Sequence, residues 1–217
     1  NNEEAIALYK EVMLIYKKTS GEETLDYAVA LNNVAFCYQA KADYTTAIKY
    51  FEDAIAINKK LLSENHPDYA TGLNNLAILY QEMGDYKKAL PLFEKSMQIR
   101  KAALGIEHPD YGSSLNNLAV IYQDMGKYPE AEKFQKEAVA IYKNIYGENN
   151  PVYATGLSNY ANILQGMGKY ADALKLYQTT LDIRKKELGA DHPDVLSILG
   201  NIATLYDDMA EYKKSLE

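Results

Sequence analysis

Three histidines and one cysteine are the residues of this chain best suited to metal or acid–base chemistry, and a recurring series of asparagines is best suited to hydrogen-bond recognition. The histidines, His66, His108 and His192, are each followed by Pro-Asp, and no two of them stand at metal-ligand spacing. Their position is held elsewhere by Thr24 and Asn150. Thr and Asn are good helix N-caps, and Pro is well placed in the first turn, so the shared role predicted for this position is capping. Cys37 has no partner for an internal disulfide and fits a reducing compartment. Its equivalents are Leu79, Ile121, Ile163 and Leu205, which predicts a small buried hydrophobe. The paired acids Glu22-Glu23 and Asp207-Asp208 read as solvated helix faces. There is no phosphate-binding glycine loop, nucleophile elbow or Cys-x-x-Cys. We therefore expect no enzymatic activity, no catalytic residue, no cofactor and no metal.

The asparagines differ, because they recur. Leu-Asn-Asn-Leu-Ala, or a near copy, begins at Leu31, Leu73, Leu115, Leu157 and Leu199, each forty-two residues after the one before. Its second amide is invariant as Asn33, Asn75, Asn117, Asn159 and Asn201. Its first is Asn32, Asn74 and Asn116, then Ser158 and Gly200, and Gln81 recurs as Gln39, Gln123 and Gln165. Asn is a mediocre helix former, so its repetition inside a helix needs a reason. An amide both donates and accepts, which suits the backbone of an extended peptide and equally suits a neighbouring helix or loop. Both roles are open at this level.

The elements that position these residues follow from the period. Self-similarity in the forties is the signature of a solenoid, whose units stack on their neighbours and build a long surface. Full units span 24–65, 66–107, 108–149 and 150–191; 1–23 matches the second half of a unit and 192–217 the first part of one. We read 1–217 as one continuous repeat domain, cut inside a unit at both ends and so a fragment of a longer protein. In 66–107, helix A is predicted from Pro67 to Met83. Gly84 breaks it, Asp85 caps helix B from Tyr86 to Leu104, and Gly105 stops that helix. The turn glycine recurs as Gly126 and Gly168, with Ala42 and Ala210 as departures.

Leu73, Leu76, Ala77 and Tyr80 form one apolar face of helix A, and Tyr86, Ala89, Phe93 and Ser96 the packing series of helix B. Thr71, Asn74, Asn75, Ile78, Gln81 and Glu82 fall opposite the core stripe at ~100° per residue. The corresponding positions elsewhere include Asn32, Asn33, Asn116, Asn117, Gln123, Ser158, Asn159, Asn162 and Asn201.

The net charge of −7 disfavours nucleic acid and anionic membranes as partners, because both are bound through clustered Lys and Arg. No apolar run approaches the ~20 residues needed to span a bilayer, and a cytoplasmic location is expected.

The order Leu73, Leu76, Ala77, Tyr80, Gly84, Tyr86, Ala89, Phe93, Ser96 resembles the tetratricopeptide repeat, whose usual unit has about thirty-four residues. The longer unit with His-Pro-Asp, Leu-Asn-Asn-Leu-Ala and an Ile-Arg-Lys tail is similar to the repeats of kinesin light chain and of many bacterial scaffold and signalling proteins. Gln135, standing where its unit should carry the Phe93 aromatic, departs from the pattern.

The resemblance implies an all-α fold, a right-handed solenoid superhelix of antiparallel helix pairs, and a non-enzymatic scaffold. Its concave groove, lined by the helix A positions named above, would bind a peptide of a partner protein. Lys41 alone of the Lys and Arg falls in a helix A window, so neither a carboxylate clamp nor an acidic ligand is expected. Two further expectations are a sensor or regulatory arm of a larger signalling enzyme, caspase-like peptidase or NTPase, and end-to-end self-association of the cut solenoid.

Overall fold

The computed structural model describes residues 2–216, with side chains from residue 3 to residue 210. Among the described residues there are ten α-helices and no strand. Helix B segments are α1 (Asn2–Thr19), α3 (Tyr44–Leu62), α5 (Tyr86–Leu104), α7 (Tyr128–Tyr146) and α9 (Tyr170–Leu188). Helix A segments are α2 (Leu25–Ala40), α4 (Pro67–Glu82), α6 (Pro109–Asp124), α8 (Pro151–Gly166) and α10 (Pro193–Leu216). From α1 to α5, and again from α6 to α10, each helix packs against its neighbour in sequence as expected of a helical repeat.

The predicted punctuation is present. Nδ1 of His66, His108 and His192 accepts the main-chain N–H of Asp68, Asp110 and Asp194 at 3.2, 3.1 and 3.2 Å. Thr24 Oγ1 and Asn150 Oδ1 do the same for Tyr27 and Val152, at 3.2 and 2.8 Å. An imidazole that accepts at Nδ1 carries its proton on Nε2, so these histidines cap as neutral rings. His108→Ala should cost about 1 kcal/mol in urea unfolding, while His108→Asn, which restores an acceptor, should recover most of it.

Gly84, Gly126 and Gly168 turn the chain with φ of +74°, +72° and +73°, and Ala42 takes the same turn at +58°. At Ala210 the expected turn is absent, and α10 runs on through it. Alanine is the strongest helix former, and a left-handed alanine costs about 1–2 kcal/mol. At Ala42 the packing of the whole of α3 against α2 offsets that cost.

The helices form two compact units, Asn1–Ile106 and Glu107–Glu217. In the first, Val34 and Ala35 of α2, Phe51 and Ala54 of α3, Ala77 and Leu79 of α4, and Ala89 and Phe93 of α5 are buried. Gly72 lets α4 approach α3, since a Cβ there would lie 2.7 Å from Ile55 Cγ1. Ser96, fully buried in α5, donates to Ala70 O of α4 at 2.8 Å. Cys37 is half-buried rather than buried. Its equivalent Ile163 packs on both helices of the preceding repeat, Ala119 and Ala131 among them, whereas α1 is the one described helix on that side of α2.

In the second unit, Leu118 and Ile121 of α6, Ala131 and Ala138 of α7, Ala161 and Ile163 of α8, Tyr177 of α9 and Leu205 of α10 are buried. Tyr142 of α7 is wedged between two helices. A Cβ on Gly112 of α6 would lie 3.0 Å from one ring edge at Cε1, and a Cβ on Gly156 of α8 3.0 Å from the other at Cδ2. On α10, Leu199 and Tyr206 are exposed, although their equivalents Leu157 and Leu164 are buried. Leu164 packs on Ala173 and Tyr177 of the helix B that follows it.

Candidate functional site

In the first unit the predicted positions divide. Asn74 is buried, which narrows the polar stripe, while Asn33, Asn75, Ile78 and Gln81 are half-buried. Asn32 Nδ2 turns back to Ala28 O at 3.1 Å, and its Oδ1 is buried without a partner. Exposed Thr71 donates to Pro67 O and accepts from Arg100 Nη2 at 3.0 Å. In the second unit Thr155 likewise accepts from Arg184 Nη2. α2, α4, α6 and α8 contain no Lys or Arg, but helix B supplies guanidinium groups to the N-terminal end of the stripe.

In the second unit Asn116, Asn117, Gln123, Ser158, Asn159, Asn162 and Asn201 are all half-buried. Asn159 Nδ2 and Gln135 Nε2 both donate to Asn116 Oδ1, at 2.9 and 3.1 Å, and Gln135 also reaches Gly156 O at 2.9 Å. Gln135, fully buried, is thus the hub of a polar network between α6, α7 and α8. Phe134 stacks on Tyr122 instead, with ring centroids 5.5 Å apart. Asn116 and Asn159 are therefore structural amides.

The side chains of Asn33, Asn75 and Asn201 make no hydrogen bond among the described residues.

Beyond Asn159 the same face opens into a cleft of about 370 Å³. Gln123 of α6, Asn162, Gln165 and Gly166 of α8, and Asn201, Thr204 and Asp208 of α10 line it, with Tyr128 and Tyr177 from the helix B layer. Gly166 makes room for Tyr128, because a Cβ there would lie 2.3 Å from the ring. The Tyr177 hydroxyl donates toward Asn162 Oδ1 and toward Gln165 Oε1, the latter at 2.9 Å. Gln165 Nε2 donates to Asp208 Oδ2 at 2.6 Å. Burial, and then the charge of Asp208, push the Tyr177 phenol up to about 12, so it stays a proton donor at neutral pH.

Gln123, Asn162 and Asn201 were legible as members of this face; Tyr177 and Asp208 were not. Tyr177 occupies a core aromatic position, and the hydroxyl it adds over Phe51 and Phe93 was the available signal. Asp208 is half-buried and hydrogen-bonded rather than part of a freely solvated face. Amides, a neutral phenol and one carboxylate give this cleft hydrogen-bond donors, acceptors and one negative charge. Among the described residues no group of three or more His, Cys, Asp or Glu is placed to hold a metal ion.

The tetratricopeptide repeat model matches residues 1–60, 26–102, 68–144, 110–175 and 152–217, and the chain belongs to the tetratricopeptide repeat family. Within that family it is of the kinesin light chain-like kind. A crystal structure of a Podosopora anserina putative kinesin light chain with nearly identical TPR-like repeats is 28% identical, with a TM-score of 0.70 over 86% of this chain and 89% of that one. BtubC (BKLC) from P. vanneervenii shares the fold at 20% identity, with a TM-score of 0.83 over 99% of this chain and 86% of that one. No curated protein matches. Repeats of this family are generally protein-interaction scaffolds and typically non-enzymatic. Among the described residues, no helix is long and apolar enough to cross a membrane.

Proposed function

We propose that the chain is a non-enzymatic scaffold that holds an extended segment of a partner protein along its helix A face, the groove of the repeat. One observation carries this reading: Asn33, Asn75 and Asn201 recur at one position, half-buried, without a hydrogen bond among the described residues. A half-buried amide without a protein partner forgoes about 0.5–1.5 kcal/mol per bond, which a peptide backbone would supply. Asn116 and Asn159 hold the helices in register, and the free amides read the ligand. Cys37, a lone thiol, fits a reducing, cytoplasmic setting.

The test is a random soluble peptide library selected on the wild-type chain, with the binders then measured on Asn75→Ala and on Asn201→Ala separately, since each amide can both donate and accept. Loss of two hydrogen bonds should weaken them about tenfold without moving the urea midpoint. Unchanged affinity would place the binding surface elsewhere.

A further inference from the structure

We infer that the cleft of the second unit takes a basic side chain of the bound segment, an arginine before a lysine, with Asp208 as its counter-ion. This rests on the peptide-binding reading above. Among the described residues, the lining includes a carboxylate and no Lys, Arg or His. Asp208 receives a neutral donor, Gln165 Nε2, and pairs with no cation among the described residues. The oxygens of Asn162 and Gln165 share the one proton of the Tyr177 hydroxyl, so both keep acceptor capacity at the cleft wall.

A third feature has the same sign. α8 ends at the cleft with Gly166 and has no basic residue in its last turn, so the partial negative charge of that helix end is not offset by its own side chains. Arg184 does not fill the role. It bonds Thr155 at the other end of α8, about 16 Å away along the helix, and pairs with Asp194 at 3.2 Å. A guanidinium, with five donors in a planar fork, matches a site that offers one carboxylate and amide oxygens with acceptor capacity better than an ammonium does.

Two measurements test this. N-acetyl-argininamide titrated into the full chain should shift the side-chain amide NMR signals of Asn162, Gln165 and Asn201, while N-acetyl-glutaminamide should not. Asp208→Asn, which keeps an acceptor for Gln165, should weaken the arginine response about tenfold with the urea midpoint unchanged. A positional-scanning peptide library should show Arg or Lys preferred at one position on the wild type, and that preference should vanish in Asp208→Asn. Peptides that bind without a basic preference, or equal binding by Asp208→Asn, overturn the inference and leave the scaffold reading standing. If the library yields no binder at all, the scaffold reading fails and this inference falls with it.

Discussion

Tyr142→Ala is expected to destabilise the chain by about 3–5 kcal/mol, the range for removing a buried aromatic ring whose site cannot collapse. The ring is 5% exposed and touches α6 and α8 along opposite edges. Collapse is restricted because Gly112 and Gly156 contribute no side chain to fill the space, and the flanking backbones are fixed by their own helices. Urea unfolding followed by far-UV circular dichroism reads the effect. Tyr142→Phe keeps the ring and should lose less than about 1.5 kcal/mol. A loss below about 1 kcal/mol for the alanine variant would show that the ring is no wedge.

Gln135→Glu should cost about 3–5 kcal/mol at pH 7 by leaving a buried charge without a partner. The side chain is fully buried, and both atoms its Nε2 serves, Asn116 Oδ1 and Gly156 O, are acceptors. A carboxylate in that place meets two oxygens and no cation. Its folded-state pKa would be raised above the unfolded value, so the deficit should be small in acid, grow as the pH rises past the ordinary carboxylate range, and level off above the folded value. Gln135→Leu separates charge from shape. It removes two hydrogen bonds together with the unpartnered Oε1, so it should stay within about 1 kcal/mol of the wild type. A pH-independent loss for the glutamate variant would contradict this account of the network.

The same residue shows where sequence reading stopped. That Gln135 departs from the aromatic pattern was visible; that it joins Asn116 to Gly156 was not, since its partners lie 19 and 21 residues away on two other helices. Asp208 was hidden for a similar reason. A carboxylate on a helix looks solvated until the facing Gln165, 43 residues earlier, is set beside it. The caps, by contrast, were readable because each histidine bonds an N–H two residues on.

The sequence by itself determined the helices, their caps and turns, the repeat register and the core stripe, because each depends on periodicity and on bonds between residues a few positions apart. Only the tertiary structure decided how five equivalent asparagines divide their work. Asn159 donates inside the protein, to Asn116, while Asn33, Asn75 and Asn201 make no hydrogen bond among the described residues. An amide's role is set by what stands within about 3 Å of it, and in a stack of near-identical repeats that depends on the few positions, Gln135, Gly166, Tyr177 and Asp208, where neighbouring units differ.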